Sequence, residues 1–269
     1  MDLKSKIILI SGPTASGKSS FAIKLAKKVN GEIINADSMQ VYKEFTILSS
    51  RPSKVETKSI KHHLYGIISV KKNFSAGDWL KLAKNKIYQC HKKDKIPIIV
   101  GGTGLYFNTI TKGITKIPNI DIETRKKVRN LFLKMGHNDF YEKLLKIDPK
   151  VKNKILSSDS QRVQRAYEVI LKTKKSIFDW IANTKSEFIN FEIKKIFLDV
   201  PREELLKKIF VRTEKMFKNG CLDEVKKFNL LKLNKSLSAN KLIGVQEIND
   251  YFNGNKTLDQ CKDLVVIKT

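Results

Sequence analysis

Cysteine is scarce in this 269-residue chain: Cys90, Cys221 and Cys261 are odd in number and show no C-x-x-C spacing. That indicates neither a disulfide framework nor a zinc site, and points to a reduced, cytoplasmic protein. Histidine is nearly as rare. Of four, His62 and His63 are adjacent rather than one helical turn apart, unlike a metal-binding helix face, so they read first as structural and second as substrate-adjacent. No apolar run approaches the roughly twenty residues of a membrane span. The leading MDLKSK lacks the apolar core and cleavage site of a secretory leader, so no membrane partner is expected. Internal repeats and low-complexity linkers are absent too.

Acidic residues are outnumbered, 27 Asp and Glu against 53 Lys and Arg, for a formal charge of +26. This suits a polyanionic partner, nucleic acid first. AT-rich codon usage would also inflate lysine, so charge alone leaves that partner open. Arginine, confined to positions 51, 125, 129, 162, 165, 202 and 212, is the more informative cation, because a planar bidentate donor stands where lysine was the easier choice.

What the chain does contain is a phosphate-binding pattern. Gly12-Pro13-Thr14-Ala15-Ser16-Gly17-Lys18-Ser19 follows the apolar run Ile7 to Ile10 and matches G-x-x-x-x-G-K-[ST] at every fixed position. Glycines let the backbone close around an anion, successive N–H groups and a helix N-terminus point at it, and Lys18 adds a mobile charge. Ser19 is the expected ligand of a Mg²⁺ ion riding on the phosphates. Phe21, Ile23, Leu25, Ala26 and Val29 then recur at helical spacing, the context the motif needs.

Strand-like runs at Ile7 to Ser11, Glu32 to Ala36, Ile96 to Val100 and Lys195 to Val200 alternate with helical patterns, so an α/β fold with a mainly parallel, P-loop NTPase-like sheet is expected. The P-loop, Asp37 and the Gly101-Gly102-Thr103-Gly104 turn each follow a strand and should gather along one sheet edge. Composition shifts near Gly113 to Pro118, and the stretch beyond reads as helices alone, including Glu123 to Met135 and Asp159 to Lys174. The expected organisation is a catalytic domain of residues 1–117 and 195–269 around a helical insertion domain of residues 118–194. Pro201 opens a helix to about Asn219, closed by Gly220, and a last helix runs from Thr257.

A P-loop alone leaves kinases, GTPases and ATPases open. Four further segments narrow the choice: Asn35-Ala36-Asp37-Ser38-Met39-Gln40-Val41-Tyr42, His62-His63-Leu64, Gly101 to Tyr106, and Asp159-x-Gln161-Arg162-x-x-Arg165-Ala166-x-Glu168. With Gly12 to Ser19 they make the chain resemble, from about residue 6 to about residue 260, the tRNA dimethylallyltransferase family, also called tRNA isopentenyltransferases or IPP transferases.

The resemblance implies that the P-loop grips the diphosphate of dimethylallyl diphosphate, with ATP not the substrate, and that the prenyl group goes to N6 of the adenosine just 3′ of the tRNA anticodon. It implies Asp37, Thr103 and Lys18 as catalytic residues, and Gly12 to Ser19 with Arg212 as the diphosphate site. It implies tRNA contacts to the anticodon stem-loop at Asp37, Ser38, Met39, Gln40, Thr103, Arg125, Gln161, Arg162, Val163, Gln164 and Arg165. Mg²⁺ is the implied cofactor, base flipping the implied access route, and a cytoplasmic monomer the implied setting.

The residues themselves allow other readings. Asp37 could be a Mg²⁺-directing or capping aspartate, and Thr103 part of a tight turn. Arg212 lies at the edge of an apolar stripe of Leu205, Leu206, Ile209 and Phe210, where an arginine can simply snorkel. Val163, Ala166, Tyr167 and Ile170 form one helix face, with Gln161, Arg165 and Glu168 on the opposite, solvent-facing side. Arg51 stands where relatives carry lysine before proline. Gly244-Val245-Gln246-Glu247 departs from the aromatic-then-basic pattern of relatives, which also continue past Thr269 into a basic tail; both bear on tRNA affinity. Rival activities are an adenylate isopentenyltransferase acting on free nucleotide and a P-loop small-molecule kinase.

Overall fold

The computed structural model of the chain describes residues 5–234 and 237–269; residues 1–4, part of the segment from which the missing leader was inferred, lie outside the described residues. The chain divides into two compact units, residues 1–111 with 188–269, and residues 112–187. The division falls several residues before the boundaries expected from composition. The extended stretch after Gly113 belongs with the helical unit: a Cβ on Gly113 would sit 2.4 Å from the Lys185 carbonyl oxygen, so its backbone already packs there.

The larger unit runs β1 (Lys6–Ser11), α1 (Lys18–Lys28), β2 (Gly31–Asn35), α2 (Lys54–Lys58), β3 (His62–His63), α3 (Ala76–His91), β4 (Ile96–Val100) and α4 (Gly104–Thr111). Among the described residues five strands form one parallel sheet in the order β3-β2-β4-β1-β5, where β5 is Glu192–Phe197. Side chains alternate across the strands. Ile8, Ile10, Ile33 and Ile98 meet Ala22 and Ala26 of α1 on one face, while Ile7, Leu9, Ile34 and Ile99 meet Trp79, Ala83 and Ile87 of α3 and Tyr106 and Ile110 of α4 on the other. Both faces of the middle strands are buried, which explains their continuous apolar runs.

Register sets the active edge. Val100 pairs with both Ile10 and Asn35, so β1, β2 and β4 end abreast and their following turns leave the sheet at one level. The order reverses at β4 and β1, the switch point where α/β sheets hold ligands.

The last strand differs from expectation. It starts at Glu192 and ends at Phe197, three residues before the expected run of Lys195 to Val200; pairing from Lys6 with Glu192 to Ser11 with Phe197 fixes its length to that of β1. The two-residue β3 and the five-residue α2 were too short to carry a pattern.

After β5 come α9 (Arg202–Lys218), α10 (Cys221–Leu230), α11 (Val245–Phe252) and α12 (Leu258–Lys268). Gly220, at φ +93°, ends α9 as expected. The stripe expected on α9 is corrected: Leu206 and Phe210 are exposed, and the buried positions are Ile209, Thr213 and Met216. Arg212, itself half-buried, flanks these buried positions. Val41, Phe45, Leu48, Met216, Val225, Phe228, Val245 and Ile248 form a second core that ties these helices to the segment after β2.

The smaller unit packs α5 (Ile122–Met135), α6 (His137–Ile147), α7 (Ser160–Thr173) and α8 (Ile177–Ala182) around Val128, Phe140, Leu144, Val163, Ala166 and Tyr167. Two expectations change here. Val163, grouped with the tRNA contacts, is fully buried in this core and offers no side chain to RNA. Glu168, assigned to the solvated face, is buried as well and accepts from Arg165 Nη1 at 3.1 Å.

Candidate active site

The loop between β1 and α1 winds around its own amide groups. Gly12 (φ +155°) lies where a Cβ would come within 2.8 Å of the Leu198 carbonyl oxygen, and Gly17 (φ +84°) turns into α1. Only glycine meets both demands at Gly12. Lys18 Nζ donates back to the carbonyls of Gly12 at 2.9 Å and Pro13 at 2.5 Å, acceptors that a phosphate oxygen would replace. The buried Ser16 hydroxyl has no hydrogen-bond partner among the described residues. A loop with an unused donor and a lysine folded on its own carbonyls is set for an anion.

Asp37 enters from β2. Fully buried Asn35 locks it: Asn35 Oδ1 accepts from Asp37 N–H at 2.9 Å, and Asn35 Nδ2 donates to the Asp37 carbonyl at 3.0 Å and to the Leu64 carbonyl at 3.1 Å. Trp79 Nε1 donates to the Asn35 carbonyl at 2.7 Å. The Asp37 carboxylate accepts from Met39 N–H at 2.9 Å through Oδ1, leaving Oδ2 free of the hydrogen bonds that orient the side chain. Sequence reasoning quoted Asn35 in the motif without giving it a role. An asparagine is costly in a buried strand unless its amide is used, and that was the available signal.

Thr103 arrives from the turn after β4. Its Oγ1 accepts from Ser38 N–H at 2.9 Å and lies 3.3 Å from Ser38 Oγ, and its own N–H donates to the Ala36 carbonyl at 3.1 Å. Gly101 permits this approach, since a Cβ there would overlap the Ala36 carbonyl at 2.1 Å. The structure thus joins Asp37, Ser38 and Thr103 in one hydrogen-bonded corner.

Lys18, Asp37 and Arg212 are electrostatically coupled. Burial pulls the Lys18 ammonium below its usual range; Asp37 raises it and Arg212 lowers it further. Burial likewise lowers Arg212, and Asp37 opposes that. Two partly desolvated cations share one carboxylate, an arrangement that a polyanion relieves. They line a cavity of about 300 Å³ with Ser19, Gly101 and Tyr65. A second cavity of about 200 Å³ shares Thr14, Asp37 and Arg212 and adds Met39, Leu48 and Ile209. A larger groove of about 820 Å³ shares Arg212 and carries Arg51, Lys207, Lys208 and Lys215.

Other expected residues find different work. Gln40 Nε2 donates to the Ser49 and Ser50 carbonyls at 3.0 and 3.2 Å. Arg51 donates to the Tyr42 carbonyl at 3.1 Å and to Thr46 Oγ1 at 2.8 Å, in space left by Gly66. His63 Nε2 meets Glu32 at 2.6 Å near the start of β2, with Cys90 Sγ 3.7 Å from the same carboxylate oxygen. Burial holds His63 below its usual range, with its bond to Glu32 working the other way, and Glu32 is itself held low by that histidine. That pair ties β3 to β2, in keeping with the structural reading of the histidines.

In the smaller unit Arg125, Gln161 and Arg162 are exposed, and Gln164 and Arg165 are half-buried. Arg162 Nε lies 3.3 Å from Asp159, the N-cap of α7. Two of the arginines hold carboxylates at α7, Arg162 that of the N-cap and Arg165 that of Glu168.

Comparison with known proteins is consistent with this arrangement. The family model described as IPP transferase matches residues 40–269. A tRNA dimethylallyltransferase of Pelagibacter ubique is 54% identical over 269 residues, covering 100% of this chain and 86% of that protein. One from Rickettsia massiliae is 43% identical over 267 residues, covering 99% and 74%. Among solved structures, a full-length tRNA isopentenylpyrophosphate transferase from Bacillus halodurans is 31% identical with a TM-score of 0.68, covering 98% of this chain and 82% of its own. A eukaryotic dimethylallyltransferase acting on tRNA is 27% identical with a TM-score of 0.84, covering 98% and 67%.

Proposed function

The chain belongs to the IPP transferase family, and from that premise we propose that it prenylates tRNA, moving a dimethylallyl group from dimethylallyl diphosphate to N6 of the adenosine 3′-adjacent to the anticodon. The observation that carries this reading is the half-buried pair Lys18 and Arg212 lining one cavity with Asp37.

The chemistry needs a base and a seat for a departing anion. An adenine exocyclic amine is a poor nucleophile, because its lone pair is delocalised into the ring, so its proton must leave as the N6–C1 bond forms. Asp37, oriented by Asn35 and Met39 N–H, takes that proton. The C1–O bond breaks with its electron pair going to the diphosphate, whose growing charge meets Lys18, Arg212 and the amides of residues 12–19. Thr103, joined to the same corner through Ser38, helps hold the amine. The second cavity offers the five-carbon chain apolar neighbours in Met39, Leu48 and Ile209 next to Asp37.

The oxygen donors Ser19 and Asp37, which both line the phosphate cavity, suit a hard divalent cation. Ser19 would hold Mg²⁺, which supplies further neutralisation of the diphosphate. No described helix is long and apolar enough to cross a membrane. We place the reaction in the cytoplasm, by a monomer. Arg125, Gln161, Arg162, Gln164 and Arg165 are proposed to meet the anticodon stem-loop.

The test is a transfer assay with Mg²⁺, labelled dimethylallyl diphosphate and either bulk tRNA or AMP. Label on tRNA alone is the expected result. Label on AMP would favour a free-nucleotide acceptor, and phosphoryl transfer from ATP would favour a kinase.

A further inference from the structure

The segment between β2 and α2 forms walls of the site without helix or strand at residues 46–51, where the local backbone bonds are two turns, Ser50 N–H to the Ile47 carbonyl at 2.9 Å and Arg51 N–H to the Thr46 carbonyl at 3.1 Å. Ser50 lines both the phosphate cavity and the basic groove, and Leu48 and Ser49 line the second cavity beside Asp37. Ser50 sits at φ +48°, a left-handed conformation that a non-glycine residue keeps only when its surroundings impose it.

A further restraint comes from far along the chain. The Glu224 carboxylate, in the first turn of α10, accepts three consecutive backbone N–H groups: Thr46 at 2.6 Å and Ile47 at 2.9 Å on Oε1, and Leu48 at 2.8 Å on Oε2. Such charge-assisted bonds are shorter and stronger than neutral ones. From the other side Gln40 takes the carbonyls of Ser49 and Ser50, and Ser49 Oγ donates to the Phe45 carbonyl at 2.7 Å. Glu224 thus serves the amides of the turn and Gln40 its carbonyls. Asp223, its neighbour on α10, is exposed and points at Lys226 instead.

We propose that Glu224 is a positioning residue of the transfer reaction, fixing the 46–51 turn so that Ser49 and Ser50 stand correctly beside Asp37 and Arg212. Its role rests on the prenyl-transfer reading. Glu224→Gln is the sharp variant. It keeps size, but it removes the charge and turns an NH₂ group toward backbone donors, so the three bonds cannot all be made.

With wild-type protein active, Glu224→Gln should raise KM for dimethylallyl diphosphate and lower kcat, together costing at least about tenfold in kcat/KM. Affinity for tRNA should stay within about threefold, Glu224→Asp should recover part of the loss, and Asp223→Asn should behave as wild type. Hydrogen exchange supplies a readout that needs no variant: the amides of Thr46, Ile47 and Leu48 should exchange slowly in the wild-type protein, and quickly in Glu224→Gln. Unchanged KM and kcat in a Glu224→Gln protein that merely melts earlier would overturn the proposal. So would fast exchange of those three amides in the wild type, even if the variant fails to fold. A wild-type protein with no transfer to tRNA would instead overturn the prenyl-transfer reading.

Discussion

The two units carry their cations in opposite ways. In the α/β unit Lys18 and Arg212 are partly desolvated and share a single carboxylate, whereas in the helical unit Arg125 and Arg162 stand in water and Arg165 is half-buried against Glu168. The difference in dielectric decides what each can do. Charges removed from water interact strongly and tolerate little displacement, which suits bond breaking at one atom. Solvated charges are screened and individually weak, which suits a broad surface meeting a phosphate chain. Chemistry should therefore fail steeply on single substitutions in the first region, and recognition should decline gradually in the second.

The steepest test is Asp37. Asp37→Asn keeps the acceptor that Met39 N–H uses but cannot take a proton, so kcat should fall by about 10² or more while tRNA affinity holds within a few-fold. Near wild-type turnover would remove the residue from the mechanism and leave it a capping aspartate.

Lys18→Ala and Arg212→Ala come next. Each should weaken pyrophosphate binding by about 2–5 kcal/mol, the range for removing one side of a buried charge pair, as measured by calorimetry. The comparison sharpens when stability is measured too. Burial disfavours both cations in the unliganded protein, so Lys18→Ala should melt no earlier than wild type without pyrophosphate, and earlier in its presence. Early melting of the free variant would make Lys18 a fold residue through its bonds to Gly12 and Pro13.

This asymmetry also explains what could be read in advance. The P-loop, Asp37 and Thr103 were legible because each follows an apolar strand, and backbone geometry brings strand ends together whatever surrounds them. Glu224 was not legible, since its partners lie 176 to 178 residues away and are backbone groups that carry no side-chain signature. The apolar stripe of α9 misled because Leu206 and Phe210 keep helical spacing without a neighbour to cover them. Glu168 misled for the opposite reason: a carboxylate at the edge of an amphipathic face can be buried once Arg165 reaches it.

The recognition surface gives a smaller effect that must be separated by ligand. Changing Gln161 and Arg165 together to Ala should cost about 1–3 kcal/mol for cognate tRNA, with little loss on a generic RNA duplex. Lys126 and Lys134, exposed on α5, should when changed to Ala weaken both ligands alike and flatten the salt dependence. Equal losses on the two ligands for the Gln161/Arg165 pair would return that face to solvation and remove the contrast between the units.

The smallest expected effect lies in the α/β unit but away from its chemistry, and it tests whether burial alone makes a charge functional. Burial holds His63 below its usual range, and Glu32 is also held low. A histidine lowered on folding binds fewer protons in the folded state, so its stabilisation is present above the unfolded value of about 6.5 and fades as pH falls from there toward the folded value. Glu32 has the same sign in a lower window, losing its contribution as pH falls from the ordinary glutamate range through its folded value. Thermal unfolding should thus show stability declining below about pH 6.5, and His63→Gln should flatten the upper part of that decline, since the amide still donates to Glu32 but does not titrate. Prenyl transfer at neutral pH should be unchanged in the same variant, because neither His63 nor Glu32 lines the two cavities beside Asp37. A transfer defect at neutral pH with an unshifted melting profile would mean that the His63–Glu32 pair acts on the site, and that distance along β2 is no guide to which buried charges serve chemistry.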